Sequence, residues 1–361
     1  MSTRPRLTGG IKSYRAFGTR ADFLQGFAAF VLLITPISAG ERSIIGGEVE
    51  IMTFELKGRG PGGAPTANLL GVPLARSWKY TGFVSSVAGT TITLSLPFWS
   101  DEEFDGANGH HYLEVLDGPQ AGAWVDIVDT LGDAGAVITA DDLSAQLLGR
   151  EKVRIRPHHT FHSLFGSDNQ RGLKGGNGRG NADEIIVFDA ETQTATIVFY
   201  STNRGAWVEA GAPSDPIDDF VIYPDQGLFI KRKSAGDRPI AFAGRIREEP
   251  VANRLLPGLN VLAGIPPKTG DRRTVDGQPP GLPRADAVRA RSLTRDVEGR
   301  PIISDTGSLN WAQIAGLHPA DRIHFVGGAG MLIEQSAQAP PETVMLDTAT
   351  GEPVAGEGGE Q

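Results

Sequence analysis

His158, His159 and His162 fall within five residues of one another, with His110 and His111 upstream, and gather five of the chain's seven metal-ligating imidazoles into two short segments. Imidazoles four apart on a helix lie on one face and can share a metal ion. A metal held there could activate water, which would make the segment the centre of a metal-dependent hydrolase. The neighbouring residues support a plainer reading as well. Thr160 is placed to cap a short turn ending at Gly166, leaving His158 and His159 in extended chain before it. The His-Glu-x-x-His pattern of a zincin is absent. On that reading the histidines are half-buried or surface hydrogen-bonding groups, and no cofactor is expected.

A second candidate is the run Phe98-Trp99 followed by Ser100-Asp101-Glu102-Glu103. A flat ring face stacks on the apolar face of a sugar while adjacent carboxylates accept its hydroxyls, so Phe98, Trp99 and Asp101 are the expected ligand-binding residues of a glycan-contacting loop. The chain has further aromatic residues of the same kind, among them Trp78, Tyr80, Tyr112, Trp124, Trp207 and Tyr223, most of which are expected in the core. Asp305-Thr306-Gly307-Ser308 resembles half of an aspartic-peptidase site, which needs two aspartates from two lobes sharing a proton. No second copy exists and 53 residues follow Ser308, so the motif reads as a polar turn. Gly175 to Asn181 is rich in Gly, Asn and Arg but has polar loop before it and strand after it. A phosphate cradle needs a strand before it and a helix N-terminus after it, so this is a connector.

The elements that position these residues are strands. Short segments of strand character run at Gly82–Val87, Thr90–Leu96, Tyr112–Leu116, Ala123–Val128, Ala136–Thr139 and Lys152–Arg156, separated by Ala88-Gly89, Asp117-Gly118-Pro119, Gly132-Asp133 and Gly149. That spacing predicts a mainly β fold whose first part is a small antiparallel barrel or sandwich. Asp141–Leu148 reads as one helical turn capped by Asp141 or Asp142. A boundary is expected within 166–181, giving an N-terminal β domain over 41–166 and a second β-rich domain over 167–335. The second contains predicted strands at Glu184–Phe188, Thr194–Tyr200, Ala206–Glu209, Phe220–Tyr223, Gly227–Lys231, Ile240–Ile246 and Arg322–Val326. Pro266–Pro283 is a Pro/Gly-rich loop, Ala285–Val297 a short charged helix, and 336–361 an acidic tail without apolar periodicity. Asn68-Leu69-Leu70-Gly71-Val72-Pro73 is echoed by Asn260-Val261-Leu262-Ala263-Gly264-Ile265-Pro266. The echo is either an internal repeat or two similar buried strands ending at proline.

Composition narrows the class. The 361 residues carry a formal charge of −9. The first forty contain Arg4, Arg6, Lys12, Arg15 and Arg20, then an apolar run from Phe27 to Ile37, then Ser38, Ala39 and Gly40. This is the order of a secretory signal, with cleavage expected near Ala39 or Gly40. The apolar run is well short of the roughly 20 residues of a spanning helix, so no stable membrane span is expected after cleavage. Removing that leader takes the charge to about −13, a balance that excludes nucleic acid and anionic lipid as electrostatic partners. With no cysteine, disulfides, thiol catalysis and Cys-ligated zinc are excluded together. Forty-seven glycines and 24 prolines without a Gly-X-Y period fit tight turns between short strands.

Gly47–Arg76, Gly82–Leu94, Tyr112–Gly122, Arg156-Pro157-His158 with Thr160 and Leu164-Phe165, Asp183–Phe188, Tyr200 with Gly205 and Trp207, and Pro224 through Gln226-Gly227 to Ile230 resemble an uncharacterised exported β-rich family of verrucomicrobia-type bacteria. The resemblance covers most of 45–270 and implies export and a β-rich build, without an activity or catalytic residues. The expected role is thus a non-catalytic one, structural or binding, in the periplasm, at the outer surface or outside the cell, with envelope components or extracellular polysaccharide as partners. Glycan binding is the alternative, and a metal-dependent hydrolase a further one.

Overall fold

Between Tyr80 and Pro157 the chain closes a six-stranded barrel. Its strands are Tyr80–Ala88, Thr91–Leu94, His111–Val115, Trp124–Leu131, Ala136–Thr139 and Lys152–Pro157. In this computed structural model the described residues are 49–263 except 73, 107–108 and 247–250, together with 42–45, 290–295, 301–306, 314, 316–317, 322–325, 330–335 and 342–346. The leader and the Pro266–Pro283 loop lie outside them. Among the described residues no helix is long and apolar enough to cross a membrane.

Each barrel strand pairs antiparallel with two neighbours, the Lys152 strand joining the Tyr80 and His111 strands to complete the ring. Closure leaves no sheet edge exposed. Alternation decides what fills it: Val125 and Ile127, Val153 and Ile155, and Ile92 and Leu94 turn inward. So small a ring needs sharp bending, and the register shifts at Val84/Ser86 and Ile127/Asp129 supply it. Leu143 and Leu147 complete the core from the Asp141–Leu148 segment. There the Asp142 carboxylate accepts the Ser144 N–H at 2.8 Å and the Leu147 N–H reaches the Leu143 carbonyl at 3.0 Å. The segment is a capped turn and does not extend into a helix.

The barrel is an excursion from a larger framework. A six-stranded sheet runs in the order Ala206–Glu209, Thr194–Ser201, Glu184–Asp189, Gly227–Arg232, Thr66–Gly71 and Arg322–Phe325, antiparallel except for the last pair. A four-stranded sheet sets Val49–Leu56 between Arg42–Ile45 and Arg238–Ile246, which also pairs Leu74–Ala75. Strand pairing therefore crosses the boundary expected at 166, because strands before the barrel bond to strands long after it. Ile185 and Val187 face one apolar core while Ile186 and Phe188 face another. A sheet covered on both faces explains why these strands read as unbroken apolar runs.

Two expectations change. The segment expected as a helix at Ala285–Val297 contains the strand Ala290–Arg295, paired antiparallel with Pro301–Thr306 and parallel with Gly330–Gln335. The β-branched Ile302 and Ile303 stand opposite Thr294 and Leu293, and two ladders outweigh the weak amphipathic period of a charged segment. Within 336–361, Glu342–Leu346 pairs with Val251–Leu255, so part of the expected tail is strand. Asp305 and Thr306 end a strand opposite Arg291 and Ala290, and Gly307 and Ser308 lie outside the described residues.

The Asn68/Asn260 echo has a structural counterpart. The Asn68 side chain accepts the Lys57 N–H at 2.7 Å and donates to the Lys57 carbonyl at 3.1 Å. Asn260 does the same to Leu256, at 2.8 Å in both directions. Each also donates to the carbonyl two residues before it, Thr66 or Gly258. Both asparagines are fully buried, so each clasp satisfies a side-chain amide that water does not reach.

Candidate functional site

The loop leaving the Thr91–Leu94 strand is pinned where it begins. Ser95 donates its N–H to the Phe83 carbonyl at 2.8 Å, its hydroxyl accepts the Phe83 N–H at 2.9 Å, and its carbonyl accepts the Tyr80 hydroxyl. It is braced again further on. Asp101 accepts the Gly132 N–H at 2.6 Å, Glu103 accepts the Ser100 N–H at 2.9 Å, and Glu102 donates its N–H to the Thr130 carbonyl at 3.1 Å. Pro97 lies over Gly135. Trp99 is rooted in the barrel, with its ring 5.0 Å from Tyr80 and 5.6 Å from Phe104.

What this scaffold displays is apolar. Leu96 is 88 % exposed, Phe98 71 % and the adjoining Phe83 53 %. Leu96 also sits at φ 53°, a left-handed conformation that a branched side chain adopts only where the surroundings impose it. The three residues expected to bind ligand are thus in one loop with different roles. Phe98 presents a ring, whereas Trp99 is 6 % exposed and holds the loop from beneath, and Asp101 braces the backbone. The Trp99 ring packs into the aromatic interior of the barrel end, against Tyr80 and Phe104. Leu96 and Phe83 were missed, although the unalternating run Leu96-Pro97-Phe98 ahead of an acidic stretch is a local signal for an exposed tip.

The loop's shape depends on Gly132. A Cβ there would stand 2.7 Å from the Trp99 carbonyl oxygen and 2.8 Å from the Asp101 N, both backbone atoms that cannot swing aside. Gly132→Ala is expected to displace residues 99–101, seen as faster amide exchange of the Asp101–Glu103 segment while the opposite strands keep their protection. Unchanged exchange there would show that the loop is not held from this side.

The histidines take three separate places. His158, 2 % exposed, contacts Asp126 at 2.8 Å through Nε2, donates its backbone N–H to the His110 carbonyl, and accepts Arg76 on its own carbonyl at 3.0 Å. The Tyr112, Tyr223 and Trp124 rings surround it at 4.7, 5.4 and 6.0 Å. Trp124 and Tyr223 stack at 5.7 Å with planes 20° apart. Burial first, then the charges of Asp126, Asp189 and Asp225, raise the Tyr223 phenol above its ordinary value of 10.0. His159 points elsewhere, its Nε2 at 2.7 Å from the Leu74 carbonyl. Contact with a carbonyl requires the proton on that nitrogen, which removes it as a metal ligand. His162 is exposed on the helix Phe161–Phe165. Thr160 caps that helix in a reciprocal box with Ser163. Among the described residues no group of three His, Asp or Glu side chains is placed to hold a metal. His158 and Asp126 instead pin the barrel wall to Tyr223 of the framework.

No protein-family model, curated protein or solved structure shows significant similarity to this chain.

Proposed function

We propose that this is an exported, non-catalytic protein of the cell envelope or extracellular space, which acts by binding through the end of its barrel. The observation that carries the binding role is the braced loop that keeps Leu96 and Phe98 in water, 88 % and 71 % exposed. Soluble proteins seldom hold adjacent large apolar residues out in this way without a surface to meet. A rigid mount lowers the ordering cost of that meeting. Export is supported by the basic, apolar and small-residue order of the first forty residues.

N-terminal mapping of fractionated cells tests the export half. The expected product begins near Ala39 or Gly40 outside the cytoplasm, and an intact Met1 terminus in the cytoplasmic fraction would overturn it.

Glycan contact is a second reading, favoured by the exposed Phe98 ring beside the exposed Asp101, Glu102 and Glu103. It belongs to Phe98 rather than Trp99, and Phe98→Ala is the variant that should lower retention on insoluble polysaccharide.

A further inference from the structure

The chemistry of the barrel end narrows what it meets. Leu96, Phe98 and Phe83 expose hydrocarbon with no hydrogen-bonding tip, whereas protein-binding hot spots favour Trp, Tyr and Arg and are poor in Leu. A sugar platform likewise prefers rings with polar edges. At this end of the barrel the residues with those properties, Tyr80 and Trp99, are turned inward, 2 % and 6 % exposed. Aliphatic and phenyl groups are what the acyl boundary of a lipid surface accepts.

Charge supplies the second constraint. Asp101, Glu102 and Glu103 follow the tip directly and are exposed. Carboxylates at that level are repelled by an anionic leaflet and complement the outward ammonium groups of phosphatidylethanolamine or phosphatidylcholine. Leu96 gives an independent sign: at φ 53° a glycine or asparagine would relax the backbone, yet the position holds leucine, fully displayed.

Taking the protein as an exported envelope protein, we propose that the Leu96–Phe98 tip, flanked by Phe83, docks reversibly on a zwitterionic phospholipid surface, inserting its apolar side chains while the acidic residues beside it remain at headgroup level. The attachment is interfacial and uses no spanning segment. Because the loop is already braced at Ser95, Asp101 and Glu102, docking orders little that is not ordered beforehand.

The test is co-sedimentation of the exported chain, purified as secreted, with vesicles of phosphatidylethanolamine and phosphatidylcholine, and separately with vesicles enriched in phosphatidylglycerol. The expected result is association with the zwitterionic vesicles, weakened by the anionic lipid. Binding should fall by about tenfold or more when Leu96→Ser and Phe98→Ser are combined. Leu96→Gly is the companion variant: it relieves the strained backbone, so thermal stability is held or raised while vesicle binding falls, which separates display from folding. Association unchanged in the double variant, preference for the anionic vesicles, or no association with any vesicle would each overturn the proposal. A stoichiometric protein partner, lost in the double variant while neither form touches vesicles, would assign the tip to protein docking instead. The export reading rests on the mapped N-terminus and survives each of these failures.

Discussion

Asn68→Leu is expected to destabilise the protein by about 3–5 kcal/mol, read as a lower denaturant midpoint at unchanged slope. Leucine keeps the branched heavy-atom skeleton of asparagine, so no cavity accompanies the change. What is lost is polar. The Lys57 N–H loses its acceptor at 2.7 Å, and the carbonyls of Lys57, Thr66 and Ile230 lose a donor at 3.1, 3.3 and 3.1 Å. Asn68 is fully buried, so solvent does not replace these partners. Asn68→Asp should be no better, because it keeps the acceptor, removes the amide donor and adds a charge. The same change at Asn260 should destabilise too, by about 2–5 kcal/mol, because its side chain clasps Leu256 in both directions and donates to the Gly258 carbonyl. Asn68 ties the Gly227–Arg232 strand through Ile230 as well. A loss below about 1 kcal/mol in Asn68→Leu would show that its clasp is not what joins the two strands.

That pair also shows what kind of information a single chain carries. The two asparagines stand in similar local words, so the echo is visible in sequence, and the barrel strands are visible for a related reason. Alternation such as Val125 and Ile127 against Trp124 and Asp126 records which face is covered, and glycine turns mark where a strand must stop. Pairing partners leave no such mark. Thr66–Gly71 is buried at every position, so its residues fit a central strand but do not say that its neighbours are Gly227–Arg232 and Arg322–Phe325. The histidines divided for a local reason that spacing concealed. His158 and His159 are adjacent in extended chain, where successive side chains leave on opposite faces, and His162 has already passed into the helix capped by Thr160. The rings around His158 come from three distant segments, and only the closed barrel and its framework bring them together. At the tip, sequence located the loop but not its orientation. Which of Phe98 and Trp99 faces water was decided by the packing of Tyr80 and Phe104 against the indole.

Arg156→Met should cost about 3–5 kcal/mol, for a reason that lies in its partner. The Arg156 side chain is 1 % exposed and its Nε donates to Glu114 at 2.7 Å, while the Glu114 side chain is only 6 % exposed. The two come from neighbouring barrel strands, Arg156 standing opposite Tyr112 and Glu114 opposite Arg154, so they meet across the diagonal of one ladder. Removing the guanidinium leaves a carboxylate in a setting that penalises charge. It also removes a donor at 2.8 Å from the Arg76 carbonyl and one of three guanidinium groups around Trp78, where Arg154 and Arg245 lie 4.7 and 3.8 Å from the ring centre. If the cost is mainly the stranded charge, Glu114→Leu combined with Arg156→Met should return to within about 1–2 kcal/mol of the parent, since an apolar pair of similar volume needs no desolvation of ions. The coupling in a double-mutant cycle should then greatly exceed the roughly 0.3–0.5 kcal/mol within which independent sites add. Additive losses would instead locate the stabilisation in Arg156's contacts with Arg76 and Trp78. Arg245, on the Arg238–Ile246 strand of the framework, brings its guanidinium to the same indole that Arg154 and Arg156 reach from the barrel. Additivity would therefore place the contribution of Arg156 in the Trp78 cluster, which joins barrel to framework, rather than in the ion pair within the barrel wall.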